Sequence, residues 1–86
     1  MKEIEEVFGR ILGSTIRAAR EKAGFSILKL ALIAGIDRST LERIERGESI
    51  PSSFTLYKIR RIVPFDLTAI FDKVEKETHH LDLDQK

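Results

Sequence analysis

Asp37-Arg38-Ser39-Thr40-Leu41-Glu42-Arg43-Ile44-Glu45-Arg46-Gly47 is the stretch whose reading decides the fold. The aspartate at its start can accept hydrogen bonds from free helical N–H groups. The glycine at its end can take the left-handed conformation that stops a helix. At about 100° per residue, Thr40, Leu41 and Ile44 share one face, with Glu45 at its margin. Ser39, Glu42, Arg43 and Arg46 share the other, and Arg38 stands in the first turn. The stretch therefore predicts a short helix anchored by two aliphatic side chains, with an arginine-rich face turned outward. Such a face suits contact with a polyanion. Standing alone it is better explained as an ordinary solvated helix, so its neighbours decide.

Upstream, Gly35-Ile36-Asp37 predicts a tight turn, and Ser26 predicts the cap of a helix over Ile27 to Ala34 that Gly35 ends. Ile27, Leu30, Ala31 and Ala34 form the expected buried stripe. Leu28, Leu32 and Ile33 fall outside it, and Lys29 is the only charged residue of the segment. A surface helix rarely needs so much apolar face. Either other parts of the chain cover it, with Ile4, Val7, Phe8 or the C-terminal tail as candidates, or it is a contact for another protein.

Further upstream, Ile4, Val7, Phe8, Ile11 and Leu12 recur at three- and four-residue steps and predict a first helix. It either runs on through Ile16, Ala19 and Ala23 or breaks near Gly9 or Gly13, and Gly24 ends it. Downstream, Pro51 and its serines predict a loop with a new cap at Ser52 or Ser53. A fourth helix carries Phe54, Leu56, Tyr57, Ile59, Ile62 and Val63, and Pro64 closes it. Asp66 caps a fifth, in which Leu67, Ile70 and Phe71 are apolar. From Asp72 onward the sequence is acidic and weakly patterned, and predicts either an extension of that helix or a frayed end.

Eighty-six residues suffice for one small domain with a single modest core. The absence of cysteine excludes disulfides and thiolate metal sites. Met1 to Glu6 is mostly charged, unlike a secretory signal. The most apolar run, Ile27 to Ile36, is about half of the roughly 20 residues a membrane span needs. These features predict a soluble, cytoplasmic protein without a membrane partner. The net charge of +1 hides an asymmetry: residues 10–62 carry eleven Lys and Arg against five Asp and Glu, between acidic ends. A basic middle supports binding to an anion.

Helix, glycine turn and helix with an outward polar face make a helix-turn-helix unit. The spacing of Leu30-Ala31, Gly35, Leu41, Glu45 and Gly47 resembles the Cro/phage-repressor (XRE-like) family. So do LGSTIRAAREKAGFS, LALIAGIDRSTLERIERG, the Pro51 loop and FDLTAIF, together running from about Leu12 to Phe71. The resemblance implies an all-α, five-helix, lambda-repressor-like domain over residues 11–71. A short, possibly helical extension over 1–10 would precede it, and an acidic tail over 72–86 would follow. It implies that the third helix enters the DNA major groove. Arg38, Ser39 and Arg43 would then meet base edges, and Thr40, Arg46 and the backbone N–H groups at the helix start would meet phosphates. It also implies an ion pair between Arg20 and Glu45, which the helical wheel supports because Glu45 borders the buried face. Two features depart from the family. Ile27 stands where a phosphate-gripping glutamine is usual, and Leu28, Leu32 and Ile33 replace residues that are usually polar. Glu42, on the reading face, repels phosphate unless a cytosine amine or a nearby arginine pairs with it.

The expectation is therefore a sequence-specific regulator of transcription that binds double-stranded DNA as a homodimer. The alternative is a non-catalytic interaction module on the same fold, docking a partner protein through Leu28, Leu32 and Ile33. No cofactor is implied. His79 and His80 lie about 100° apart on any helix, poor geometry for a metal even with Asp82 and Asp84 nearby. No glycine-rich phosphate loop or Ser/His/acid grouping suggests an enzyme. Lys58, Arg60 and Arg61 read as solvated surface.

Overall fold

In the computed structural model, which describes residues 2–84, five helices follow one another: α1 (Lys2–Lys22), α2 (Ile27–Ala34), α3 (Arg38–Glu45), α4 (Ser53–Arg60) and α5 (Leu67–Asp84). α1 runs without a break through both Gly9 and Gly13. The reason is space. A Cβ on Gly13 would lie 2.3 Å from the Ile44 carbonyl oxygen and 2.8 Å from that of Glu45. A Cβ on Gly9 would lie 3.0 Å from the Gly47 carbonyl oxygen. Two glycines one turn apart thus make a saddle on α1 into which the C-terminal turn of α3 settles.

The local signals around the turn act much as their chemistry predicts. Ser26 accepts a hydrogen bond from the Lys29 N–H at 3.1 Å and caps α2. Gly35, at φ 73°, ends it, and the Ile36 N–H closes back on the Ala31 carbonyl at 3.0 Å. Ser52 caps α4 through the Thr55 N–H, and Asp66 caps α5 through the N–H groups of Thr68 and Ala69. α4 is shorter than its apolar pattern suggests: Ile62 and Val63 lie in the turn after Arg60, both folded back onto the Ile59 carbonyl. Pro64 explains this, because the residue before a proline is pushed out of helical conformation.

Leu12, Ile16, Leu30, Leu41, Ile44, Ile59, Val63 and Ile70 are fully buried. Each contributes about 1.5–3 kcal/mol. All five helices contribute to this core, and α5 completes the enclosure by lying along α1. Phe8 stacks on Phe71 with ring centroids 6.3 Å apart, and Arg10 pairs with Glu77. α1 and α5 cross residues 10/11 and 71/72 as continuous helices, and α5 extends to Asp84. Met1, Gln85 and Lys86 lie outside the described residues, as do the side chains of Asp82 and Asp84.

Ile4, Val7 and Phe8 are half-buried, Val7 and Phe8 against the core and Phe8 on Phe71 of α5. The apolar outer face of α2 stays uncovered: Leu28 is 60% exposed, Leu32 73% and Ile33 45%. Among the described residues, neither end of the chain covers that face. The ends prefer each other because α5 offers α1 a matching stripe of Ile70, Val74 and Thr78, all buried.

Candidate nucleic-acid interface

The sequence around α3 builds a helix held from behind and free in front. Leu41 and Ile44 are buried, whereas Arg38, Ser39, Arg43 and Arg46 are exposed. Thr40 is half-buried at one edge of the helix, and Glu42 at the other. The helix ends at Glu45, with Arg46 as its cap and Gly47 at φ 77° turning the chain away.

One prediction about the helix start fails. Asp37 has the extended backbone of a cap, and its carbonyl accepts the Leu41 N–H, but its side chain accepts nothing. The tight Gly35 turn presents the Asp37 side chain to solvent. The first amides of α3 are consequently left without a side-chain acceptor, at the positive end of the helix dipole.

Behind the helix, Arg20 of α1 grips Glu45 through two hydrogen bonds, Nε to Oε2 at 2.7 Å and Nη2 to Oε1 at 3.0 Å. Its remaining Nη1 donates to the Phe25 carbonyl at 2.9 Å. The two side chains are only 11% and 5% exposed. The hydrogen bond to Glu45 holds the Arg20 guanidinium above its ordinary pKa, against a smaller opposing effect of burial. A pair this enclosed fixes geometry, since removing either partner strands the other charge.

The exposed arginines are arranged differently. Arg38 Nε lies 3.3 Å from Glu42 Oε2, Arg46 Nε 3.1 Å from Glu48 Oε2, and Arg17 Nε 3.2 Å from Glu21 Oε2. Such solvated pairs contribute about 0–1 kcal/mol to stability. Among the described residues Arg43 has no carboxylate partner. Arg17, Arg46, Glu42 and Ile27 line a cleft of about 450 Å³ where α1, the start of α2 and α3 meet. The sequence reading gave Arg17 no role. Its spacing of three from Arg20 was the available signal, but only the fold shows that it borders the same cleft as Arg46.

Arg60 and Lys58 serve the scaffold. Arg60 Nε donates to the Phe65 carbonyl at 2.8 Å, bracing the α4–α5 turn. Lys58 Nζ reaches the Gly35 carbonyl at 3.4 Å and stands 4.8 Å from the centre of the Phe54 ring.

Residues 16–69, which contain this whole arrangement, match the family model described as helix-turn-helix. The chain belongs to that family. Its Cro/phage-repressor spacing, its five helices and the orientation of α3 agree with the assignment. The chain is similar to a putative HTH-type transcriptional regulatory protein of Pyrococcus horikoshii, 51% identical over 43 residues that cover 50% of this chain and 14% of that protein. It is also similar to the HTH-type transcriptional regulator SutR of Escherichia coli, 39% identical over 54 residues, covering 63% of this chain and 30% of that one. A putative HTH-type transcriptional regulatory protein of Pyrococcus furiosus is 34% identical over 82 residues, 91% of this chain and 26% of its own length. The chain thus spans less than a third of each of these helix-turn-helix relatives. Among the described residues no helix is long and apolar enough to cross a membrane, and no group of three or more His, Asp or Glu is placed to hold a metal.

Proposed function

We propose that the chain is a sequence-specific, non-catalytic DNA-binding regulator of transcription, acting in the cytoplasm and reading duplex DNA with α3. The observation that carries this is the division of α3 into a buried anchor and an exposed arginine face within a helix-turn-helix domain. Arg38, Ser39 and Arg43 read base edges, the arginines by donating paired hydrogen bonds to guanine O6 and N7. Thr40 and Arg46 hold phosphates, aided by the uncapped amides at the start of α3. Arg20 and Glu45 hold the helix in place and touch no DNA. The names of the relatives support regulation of transcription as the outcome.

The test is selection from random duplex DNA, followed by binding of single variants to the enriched sequence. Arg43→Ala weakens that complex by about 1–3 kcal/mol and relaxes one base position. Arg46→Ala weakens all sequences alike and lowers the salt slope by about one. Enrichment of no sequence, or an Arg43→Ala variant with unchanged specific affinity, refutes the base-reading assignment.

The exposure of Leu28, Leu32 and Ile33 favours a second contact as well, to another copy in a homodimer on a two-fold operator or to a partner protein. Neither occupant uses a residue of α3, where the arginines assigned to DNA stand.

A further inference from the structure

Glu42 is the one carboxylate of α3 that Arg20 does not engage. Its side chain is 33% exposed, and its Oε2 lies 3.3 Å from Nε of Arg38, one turn earlier. Arg46 stands one turn later on the same edge, and Arg17 borders the cleft from α1. A carboxylate in front of a DNA-reading helix is costly wherever a phosphate approaches, so its placement calls for a compensating use.

We propose that Glu42 sets the selectivity of the reading helix by orienting Arg38 and by neutralising that arginine towards phosphate. The inference rests on the assignment of α3 to DNA reading and adds a residue to that site. The geometry explains the first effect. A guanidinium has five N–H donors. Oε2 of Glu42 lies 3.3 Å from the Nε edge as a charge pair rather than an aligned hydrogen bond. An attraction on that edge leaves the two terminal nitrogens turned away side by side, the arrangement that matches guanine O6 and N7. An arginine biased this way loses less rotamer freedom on meeting its base. The second effect is electrostatic. Sequence-blind binding is driven by phosphate contacts and counterion release. The Arg38–Glu42 pair carries no net charge, so Arg38 adds little to that mode until a base edge is in register. Glu42 is therefore a positioning residue for Arg38 and a filter against the phosphate backbone.

The experiment measures binding of the wild type, E42Q and E42D to the duplex enriched by the wild type and to a scrambled duplex, across salt concentrations. An R38A variant locates the base pair that Arg38 reads. E42Q is expected to bind scrambled DNA roughly three- to ten-fold tighter at low salt. Its salt slope steepens by about one. Its discrimination at the base opposite Arg38 falls at least about five-fold, while discrimination opposite Arg43 is retained. E42D keeps the charge but withdraws it by one methylene group. Its affinity for scrambled DNA stays at the wild-type value, while its discrimination opposite Arg38 falls. If E42Q shifts both duplexes by one common factor, or leaves slope and base preference unchanged, the role of Glu42 is wrong and α3 still reads DNA. If the wild type enriches no sequence, the reading of α3 is wrong, and the role of Glu42 falls with it.

Discussion

Gly13→Ala sets two opposing effects against each other, and the structure predicts the winner. In an ordinary helix interior the change stabilises, because alanine is favoured over glycine by about 0.8–1 kcal/mol. Here the added Cβ would lie 2.3 Å from the Ile44 carbonyl oxygen, about 1 Å inside normal contact. A flexible side chain would swing aside, but this neighbour is backbone. To relieve the overlap, the last turn of α3 must lift away from α1, and that turn carries Glu45, whose carboxylate Arg20 grips at 2.7 Å. Overpacking of this kind costs about 1–3 kcal/mol, occasionally more. With the pair strained as well, the upper end applies, and a net loss of about 2 kcal/mol remains after the propensity gain. For a domain of this size that lowers Tm by about 8–16 °C. Thermal and urea unfolding followed by circular dichroism measure it, with Gly9→Ala as the internal control. Gly9 gains the same propensity, but its Cβ would lie 3.0 Å from the Gly47 carbonyl in a turn able to yield by a few tenths of an ångström. It should stay within about 1 kcal/mol of the wild type. A Gly13→Ala protein as stable as the wild type would refute the saddle as the element that seats α3.

Three other outcomes are expected. Glu45→Gln leaves the Arg20 charge enclosed without a counter-ion and should cost about 3–5 kcal/mol in urea unfolding, in contrast to Glu48→Gln, whose exposed pair is worth about 0–1 kcal/mol. Ser26→Ala removes a side-chain cap and should cost about 1 kcal/mol, whereas Asp37→Ala removes none and should stay within about 0.5 kcal/mol by the same assay. Replacing Leu28 and Leu32 together with glutamate should leave the helical signal intact, because both are exposed, and should halve the mass in sedimentation if that face joins two copies. An unchanged mass would assign the face to a different partner or to none.

The helix starts and stops were legible in the sequence because their causes are local. Ser26, Gly35, Ser52 and Asp66 act on amides and carbonyls within a few residues of themselves. The buried positions of α3 were legible for a related reason, and so was the need of Glu45, an acid at the margin of an apolar stripe, for a cation; the resemblance to the family pointed to Arg20. What stayed hidden depended on distant parts of the chain. Gly9 and Gly13 look like interruptions until α3, more than thirty residues on, is laid across them. Asp37 has the right composition for a cap, and only the path of the Gly35 turn aims its side chain elsewhere. Several apolar stripes compete in this sequence, and composition alone does not say that α1 takes α5 and leaves α2 bare. In the candidate interface, the four-residue spacing of Arg38 and Glu42 was visible, but the cleft that joins Glu42 to Arg17 and Arg46 was not.

The saddle on α1 has a consequence for how this chain can diversify. α3 is seated by backbone carbonyls against two glycines and by Leu41, Ile44 and the Arg20–Glu45 pair, none of which faces outward. Positions 38, 39 and 43 therefore carry little of the folding energy. Substitutions there are free to drift from one binding preference to another without first passing through an unstable intermediate. The domain behaves as a socket with an exchangeable bit, and mutational tolerance should be highest at the very residues proposed to carry recognition.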